Sequence, residues 1–250
     1  MARIAVFDSG FGSLSVIRSM QKFTKSDIVY YADQKNFPYG NKRKSVLRKI
    51  IKNIITKLEK SFEPDIIVMA SNTPAILFPD LLNKKTIGVL PPIREASKIS
   101  RTNRIGILAT RAALKSALLS DHIKKAAPNL LVKKIDASRL IKLVESGKFI
   151  TDKEFCRKTI RDVLRKALAG DDVDVITLSS THLPFLLPIL QKEFPHIKFL
   201  DPADDIARKI AKIAKKSKQN KLRIYTSKNP EVFQRYLRML GIRNKVSLLP

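Results

Sequence analysis

Two serines, a threonine and a histidine directly follow an apolar run in the stretch "VDVITLSSTHL" (173–183). Hydroxyl and imidazole groups are side chains that proteins use for nucleophilic attack and proton transfer. The apolar run predicts a buried strand over Val173–Leu178, so the polar residues lie where that strand ends. Ligands of open α/β sheets bind at the carboxyl ends of the strands. We therefore expect an acid/base or binding site at Ser179–His182.

An earlier part of the chain repeats this arrangement. The stretch "DIIVMASNTP" (65–74) superposes on "DVITLSSTHL" (174–183), which places Ser71 on Ser180. Both stretches predict a buried strand that ends in small polar residues. We therefore expect two similar α/β lobes, related by pseudo-symmetry, that present equivalent strand ends to one ligand in a cleft between them.

Short β-branched runs alternate with helical patterns along the chain. The runs predict strands at Ile4–Phe7, Asp27–Tyr31, Ile66–Met69, Thr86–Val89, Ile105–Leu108, Leu131–Ile135, Val173–Leu178, Lys198–Leu200 and Leu222–Tyr225. Most of the intervening stretches are roughly 10 to 20 residues long and have the 3.6-residue period of a helix. This alternation is typical of parallel sheets flanked by helices, so the expected fold class is α/β.

Composition is that of a globular protein with a sizeable core. The 250 residues are 44% hydrophobic, and the longest apolar runs are far short of the ~18 residues that a membrane span needs. The start of the sequence lacks a signal-peptide pattern, so the expected location is the cytoplasm.

The single cysteine, Cys156, shares helical spacing with apolar neighbours and is expected in the core. The three histidines lack metal-ligand spacing, so we expect no metal.

The charge balance is strongly positive. Lys and Arg number 49 against 22 Asp and Glu, which gives a formal net charge of +27. The excess concentrates at 41–60 and 207–223, where lysines fall away from an apolar stripe. Solvated helix faces explain such runs most simply, because no nucleic-acid-binding motif accompanies them. Non-specific, salt-dependent binding of polyanions, nucleic acid included, is a second expectation.

The first predicted strand ends in "FDSGFGS" (7–13), which shares glycines with dinucleotide-binding loops. That fingerprint fails at its third glycine, where Ser15 stands, and Asp8 places a negative charge where a pyrophosphate would bind. We therefore expect no nucleotide cofactor. The glycines allow a tight turn, with Ser13 as cap of the next helix. Asp8 suits a cationic group such as a substrate ammonium; alternatively, its carboxylate caps its own loop.

Several motifs, in order along nearly the whole chain, resemble one enzyme family. They are "FDSGFGSLSVIRSM", "NFPYGNKRKS", "ASNTPAI", "IGILATRAALKS", "LVESGK", "SSTHLPFLLPIL" and "RIYTSKNPEVFQRYLRMLG". Together they resemble the glutamate racemases of the aspartate/glutamate racemase superfamily. The resemblance implies a cofactor-independent enzyme that inverts the Cα of a small acidic amino acid, glutamate ahead of aspartate. It also implies a first lobe of residues 1–93 plus 207–250, and a second lobe of residues 94–206.

The sequence departs from that family at the chemistry itself. The family motifs resemble A-C-N-T and G-C-T-H, and their two cysteines act as the acid and the base. Ser71 and Ser180 stand at the matching positions. A thiol has a pKa near ~8.5 and a hydroxyl is on the order of five units higher, so forming the base costs about 7 kcal/mol more. His182 could activate Ser180, but side chains two residues apart at a strand end seldom face each other, so we do not expect this pair.

The resemblance assigns further roles in the first lobe. Asp8 and Ser9 match the pair that meets the substrate's ammonium and polar groups. Pro38, Tyr39 and Gly40 match the loop that receives the distal carboxylate through backbone N–H groups. For Tyr39, a packed loop aromatic is the alternative.

Other matches fall at later strand ends. The family's α-carboxylate cradle matches Asn72, Thr73 and Thr181, beside helix amino termini that attract anions. Thr110 matches a family threonine in the substrate site. His182 matches the residue that assists the second thiol, and Glu145 matches an acidic helper. A solvated helix end is the alternative for Glu145.

Three explanations of the serines remain open. The first is a glutamate or aspartate racemase with two deliberate cysteine-to-serine changes. The second is a natural sequence with slow or altered proton-transfer chemistry on a dicarboxylate, in which His182 or Asp8 is the base. The third is a non-catalytic binder of amino acids or polyanions on a racemase fold. The sequence also leaves a homodimer open.

Overall fold

The chain divides into two compact units, each with its own sheet. The computed structural model describes residues 3–214 and 220–249. Unit 1 comprises Met1–Val89 and Ala203–Pro250, and unit 2 comprises Leu90–Pro202. Both observed boundaries lie a few residues before the expected ones at 93 and 207. Residues 1, 2, 215–219 and 250 of the expected first lobe lie outside the described residues.

Strands and helices alternate throughout the described residues. The strands are β1 (Arg3–Asp8), β2 (Asp27–Ala32), β3 (Ile66–Met69), β4 (Thr86–Gly88), β5 (Arg104–Ala109), β6 (Leu131–Asp136), β7 (Val175–Leu178), β8 (Lys198–Leu200), β9 (Lys221–Thr226) and β10 (Val246–Leu248). The helices are α1 (Leu14–Phe23), α2 (Lys44–Phe62), α3 (Asn72–Leu77), α4 (Ile93–Ile99), α5 (Arg111–Leu114), α6 (Ala117–Ala126), α7 (Ser138–Glu145), α8 (Lys148–Thr151), α9 (Lys153–Leu168), α10 (Leu187–Glu193), α11 (Ala203–Ile213) and α12 (Pro230–Met239). Short 3-10 turns occupy Gln34–Asn36, Tyr39–Asn41, Pro79–Leu81 and Leu183–Leu186.

Both sheets are parallel, and the four strands of the second sheet have the same order as four strands of the first. Unit 1 has the order β10-β9-β2-β1-β3-β4, and unit 2 has β6-β5-β7-β8. Every neighbouring pair is parallel. The second sheet therefore repeats the order of the first four strands, in agreement with the repeat in the sequence. The predicted α/β class, with parallel sheets flanked by helices, is confirmed.

The register aligns the strand ends that carry the polar residues. In unit 1, Phe7 of β1 lies opposite Met69 of β3, and in unit 2, Leu108 of β5 lies opposite Leu178 of β7. These strands are buried along nearly their whole length, and each fully buried Ile, Leu or Phe stabilises the fold by about 1.5–3 kcal/mol. Packing of the strands therefore fixes the positions of the residues that follow them.

One strand was missed by the sequence analysis, and one local expectation is wrong. Strand β10 was not predicted, because its three residues, "VSL", are too few to show a two-residue period. Ser13 precedes α1, but its hydroxyl makes no capping hydrogen bond and has no partner among the described residues. The first turn of α1 is closed by backbone instead, where Ile17 N donates to Ser13 O at 2.9 Å.

The basic helices pack as their patterns predict. Helix α2 buries an apolar stripe that consists of Leu47, Ile51, Ile54, Leu58 and Phe62. Lys49, Lys52 and Lys60 are exposed. In the segment 207–223, α11 exposes Arg208, Lys209 and Lys212, whereas residues 215–219 lie outside the described residues. Cys156 is fully buried, as expected, and burial followed by the charge of Asp152 raises the pKa of its thiol to about 11.

Neither a membrane-spanning helix nor a metal-binding cluster is found in the described parts of the chain. No helix there is both long and apolar enough to cross a membrane. No three or more His, Cys, Asp or Glu side chains in residues 3–214 and 220–249 come together in a way that could hold a metal ion.

Candidate functional site

Asp8 and Ser9 lie at the carboxyl end of β1, in the middle of the unit 1 sheet. Both residues are buried. Ser9 N donates to Asp8 Oδ1 at 2.6 Å, and Asp33 N donates to Asp8 O at 2.7 Å. The Asp8 carboxylate therefore caps its own loop through one oxygen, and its negative charge lies at the strand end.

The loop after β2 is anchored by a buried carboxylate. Tyr39 Oη donates to Asp33 Oδ2 at 3.0 Å, and Asn36 Nδ2 donates to both Asp33 oxygens at 3.0 and 2.9 Å. Burial raises the pKa of Asp33, against the hydrogen bonds from Asn36, Tyr39 and Ser227. Burial, then the charges of Asp33 and Asp8, raise the pKa of the Tyr39 hydroxyl well above its ordinary value.

The hydrogen bond to Asp33 fixes the Tyr39 side chain inside the loop. Its ring is buried and its hydroxyl binds Asp33, so the side chain packs inside the loop. Pro38 follows a cis peptide bond, and Asn41 N donates to Pro38 O at 3.3 Å. Gly40 is half-buried. What this loop offers to a ligand is therefore its backbone.

Ser71 lies between β3 and α3, and Asn72 and Thr73 form the start of α3, beside the end of β1. All three are buried, and Ser71 exposes 9% of its surface. The Ser71 hydroxyl does not cap α3. Asn72 Nδ2 donates to Val89 O at 2.9 Å, whereas its Oδ1 has no hydrogen-bond partner among the described residues. Asn72 thus keeps an acceptor for a ligand, and one of the two Nδ2 hydrogens is engaged by Val89 O.

The corresponding strand ends of unit 2 carry the remaining polar residues. Thr110 follows β5 and caps α5, where its Oγ1 accepts from Ala113 N at 3.3 Å. Ser179 follows β7, and its hydroxyl lies 3.0 Å from the hydroxyl of Thr177. Thr181 is buried beside it. Ser179 is therefore held by the strand, and Ser180 is the next hydroxyl beyond it.

Ser180, His182 and Glu145 form a hydrogen-bonded chain. Ser180 Oγ lies 3.5 Å from His182 Nδ1, at the long end of hydrogen-bond distances, and His182 Nε2 contacts Glu145 Oε1 directly. An ionised carboxylate only accepts, so we assign the ring hydrogen of a neutral His182 to Nε2. Nδ1 is then an acceptor for the Ser180 hydroxyl.

The expectation that Ser180 and His182 do not face each other is wrong. A tight turn is the reason: Leu183 N donates to Ser180 O at 3.0 Å, and His182 already has helical backbone angles. The turn brings residues two apart onto one side. Glu145, the last residue of α7, contacts the imidazole and is half-buried, so it is not a solvated helix end.

The predicted residues thus fall into two groups, one in each unit. Unit 1 brings together, at the carboxyl edge of its sheet, Asp8, Ser9, Pro38, Tyr39, Gly40, Ser71, Asn72 and Thr73. Unit 2 brings together, at the equivalent edge, Thr110, Glu145, Ser180, Thr181 and His182. Sequence reasoning missed Asp33, although the acidic residue at the end of "IVYYAD" is the same signal that identified Asp8.

Chemically, each group offers a hydroxyl together with ionisable or polar partners. In unit 2, the imidazole can take the Ser180 proton, and the Glu145 carboxylate then balances the charge on the ring. In unit 1, Ser71 lies at a strand end beside the end that carries Asp8. Both arrangements are suited to moving a proton to or from a bound ligand.

Comparisons with known proteins agree on one family. The glutamate racemase of Aliivibrio fischeri (strain ATCC 700601 / ES114) is 33% identical over 216 residues, which cover 84% of this chain and 80% of the relative. A glutamate racemase isoform of Bacillus anthracis matches with a TM-score of 0.88 and 22% identity, covering 100% of this chain and 97% of that one. The Escherichia coli glutamate racemase, solved in complex with L-glutamate, matches with a TM-score of 0.84 and 22% identity, covering 99% and 98%.

The structural matches establish the fold, and the sequence matches establish the family. The family model for Asp/Glu/Hydantoin racemases matches residues 12–210, which is well over half of the chain. The chain therefore belongs to the Asp/Glu/Hydantoin racemase family.

Proposed function

We propose that this protein transfers protons at the Cα of glutamate, or else of aspartate, without a cofactor and at a low rate. Unit 1 contributes Ser71, and unit 2 contributes Ser180 with His182. The observation that carries the proposal is the Ser180–His182–Glu145 chain, because it gives the hydroxyl a base within reach. Curated relatives named glutamate racemase support glutamate as the substrate.

The binding roles follow from the hydrogen-bonding capacity of each residue. Asp8 is negative and Asn72 Oδ1 is an acceptor, so both suit the substrate ammonium. The carboxylate-binding role that the resemblance implies for Asn72 stays part of the proposal, because Val89 O engages only one of the two Nδ2 hydrogens. Ser9 assists at the ammonium end of the substrate.

Carboxylates are assigned to the remaining groups. The hydroxyls of Thr73, Thr110 and Thr181 are proposed to bind the α-carboxylate. The backbone of Pro38, Tyr39 and Gly40 is proposed to receive the distal carboxylate, since the Tyr39 side chain is already engaged by Asp33. The excess of positive charge favours the arrival of such anions.

The low rate is expected because Ser71 and Ser180 carry hydroxyls where the family motifs carry thiols. Ionising a hydroxyl instead of a thiol costs about 7 kcal/mol before any local tuning. His182 reduces this cost by accepting the Ser180 proton through Nδ1. Ser71 makes no hydrogen bond to an imidazole within the described parts of the chain, so the unit 1 step is expected to limit the rate. A cytoplasmic location and a homodimer belong to the same proposal.

Proton exchange at Cα tests this function directly. The protein is incubated in D2O with L- and D-glutamate and with L- and D-aspartate, and loss of the Cα proton is followed by 1H NMR. A Ser71→Cys/Ser180→Cys double variant is compared with the unmodified chain. We expect exchange by the double variant to exceed that of the unmodified chain by at least about 100-fold, because a 7 kcal/mol cost corresponds to more than that.

A matched variant controls for added thiols. Ser179→Cys places a thiol one residue away, where the hydroxyl is held by Thr177, and it should exchange no faster than the unmodified chain. If the double variant exchanges none of the four amino acids, the proposed function is wrong. If both the double variant and the unmodified chain exchange rapidly, the expected impairment is wrong.

A further inference from the structure

Ser180, His182 and Glu145 lie in the order hydroxyl, imidazole, carboxylate, all within unit 2. We propose that Ser180 is a nucleophile in its own right and that small carboxylic esters acylate its hydroxyl. This activity goes beyond amino-acid racemisation, because it requires nothing from Ser71 or from any other residue of unit 1. The substrate class is an uncharged or weakly charged ester with a good leaving group.

The reaction balances with water as the only co-reactant. Ser180 Oγ attacks the ester carbonyl carbon while His182 Nδ1 takes the hydroxyl proton. The bond from carbon to the leaving oxygen breaks, and that oxygen receives the proton from Nδ1, which releases the alcohol. Water then attacks the acyl-serine with Nδ1 as base. The acid leaves, and the Ser180 hydroxyl is restored.

The geometry supplies the nucleophile with a base and supplies that base with a carboxylate partner. A base lies within reach of the hydroxyl at 3.5 Å, and catalytic hydrogen bonds in ligand-free structures are often this long. The far ring nitrogen is held by Glu145, which fixes the ring orientation and stabilises the imidazolium formed during attack. His182 exposes only 4% of its surface, so the ion pair is screened little by water.

The neighbouring hydroxyl of Ser179 is held differently, which distinguishes it from the Ser180 hydroxyl. Ser179 Oγ lies 3.0 Å from Thr177 Oγ1, and this contact holds it to the strand. Ser180 exposes 7% of its surface, so only a small reagent can reach it. A thiol at this position could ionise by itself, whereas the hydroxyl depends on His182 for activation.

A small alkyl fluorophosphonate is the appropriate probe. Attack by Ser180 Oγ on phosphorus breaks the P–F bond, fluoride leaves, and the proton passes to His182 and then to solvent. Ester hydrolysis alone is a poor readout, because the 32 lysines offer many amines that react with activated esters. The site of labelling is therefore read by mass spectrometry of the tryptic peptide 167–192, with fragmentation to separate Ser179, Ser180 and Thr181.

The proposal predicts one phosphonylated residue, Ser180. The adduct should be absent in Ser180→Ala, should fall at least tenfold in rate in His182→Asn, and should remain in Ser179→Ala. Turnover of 4-nitrophenyl acetate should show a burst that Ser180→Ala removes. Labelling of Ser179 or Thr181 instead, no adduct at Ser180, or an adduct rate unchanged in His182→Asn would each overturn the proposal.

A second variant keeps the test informative if removal of the hydroxyl impairs folding. Ser180→Cys keeps the shape of the side chain. Residue 180 should then no longer react with the fluorophosphonate and should react with iodoacetamide instead. Cys156 serves as an internal control, because it is fully buried and its pKa is raised to about 11, so it should stay unmodified. Iodoacetamide labelling of Cys156 alone would contradict an accessible nucleophile at residue 180.

Discussion

At the scale of single residues, His182 is fixed by partners on both ring nitrogens. Ser180 lies at Nδ1 and Glu145 at Nε2. Glu145 does not have to touch a ligand to matter, because it decides which ring nitrogen carries the hydrogen. Its role is that of a positioning residue, and a measurement of the ring itself can test it.

We expect Glu145→Leu to mix the two neutral forms of His182, because the acceptor for Nε2–H is lost. Glu145→Gln should preserve the form with hydrogen on Nε2, since the amide oxygen still accepts. Ring 15N NMR on histidine-labelled protein distinguishes the nitrogens, and His122 and His196 provide internal references. Identical His182 spectra in the unmodified chain and in Glu145→Leu would contradict the assignment.

Asp174 is a residue whose effect on stability should depend on pH. Burial alone would raise its pKa, but hydrogen bonds from Ser100, Arg101 and Thr102 lower it below the ordinary value. Ser100 Oγ and Arg101 N both donate to the carboxylate at 2.6 Å. Since the folded-state pKa is the lower one, the stabilisation is present above pH ~4 and is lost as pH falls through the folded-state pKa.

Asp174→Asn should therefore lower the free energy of unfolding by about 1 kcal/mol at pH 7. The difference from the unmodified chain should shrink between about pH 5 and pH 3. Urea unfolding across this range measures it. The control is Asp172→Asn, an exposed neighbour, which should change stability by less than about 0.5 kcal/mol at any pH. If the difference in unfolding free energy between Asp174→Asn and the unmodified chain grew as the pH fell, the lowered pKa of Asp174 would be contradicted.

At the scale of elements, β4 approaches α3 so closely that only glycine fits at residue 88. A Cβ there would lie 2.8 Å from Ala75 Cβ and 2.9 Å from Leu82 Cδ1. The Ala75 methyl is attached directly to the α3 backbone and cannot swing away. Helix α3 also carries Asn72 and Thr73 in its first turn, so the strand sets the position of site residues through this contact.

Gly88→Ala should destabilise the protein by about 1–3 kcal/mol through overpacking and should weaken amino-acid binding. Gly170→Ala is the matched control: its Cβ would meet nothing within 4 Å, but its φ is +73°. That change should cost about 1–2 kcal/mol of backbone strain and leave binding unaltered. Chemical denaturation and calorimetric titration with glutamate measure both. Equal binding by Gly88→Ala and the unmodified chain would show that α3 does not move.

Elements with strong patterns could be predicted from the sequence. Buried strands such as Ile66–Met69 show their class through β-branched runs, and helices such as α2 through an apolar stripe. Strand β10 is too short for any period, and pairing with β9 decides its conformation. The strand order could be inferred only in part, because pairing between distant segments leaves no local trace.

Site residues were predictable where they follow a strand, and less so where a turn decides their contacts. The Ser180–His182 contact depends on the hydrogen bond from Leu183 N to Ser180 O, which residue spacing alone does not reveal. The free Oδ1 of Asn72 depends on Val89 O, which engages the amide nitrogen. Residue type indicated that these side chains were polar and well placed, whereas their exact partners required the folded backbone.

At the scale of the whole molecule, the net charge of +27 should make stability depend on salt. Like charges repel more strongly in the compact state, and salt screens them over about 10 Å at 0.1 M. Raising NaCl from about 0.02 to 0.3 M should add about 1 kcal/mol of stability and raise the unfolding temperature by about 2–4 °C. Calorimetric scans measure this.

A charge-reduced variant provides the comparison for the salt series. Lys49, Lys52 and Lys60 are exposed on α2, and changing all three to Gln should flatten the salt dependence. The same variant should elute earlier from a heparin column, since non-specific polyanion binding follows positive charge, whereas Asn72→Ala should elute unchanged. An unfolding temperature that does not rise with salt would show that self-repulsion is negligible.

Because unit 1 consists of two separate segments, its sheet can be completed only after unit 2 has been synthesised. Unit 2 is a continuous segment, 90–202, whereas unit 1 resumes at residue 203. Strand β2 pairs with β9, whose first residue, Lys221, lies opposite Asp27. At about 5–20 residues per second, all of unit 2 is synthesised while the edge of β2 stays without its neighbour β9 for about 10–40 s. Unpaired strand edges invite aggregation, so the nascent chain should engage ribosome-associated chaperones until translation has passed β9.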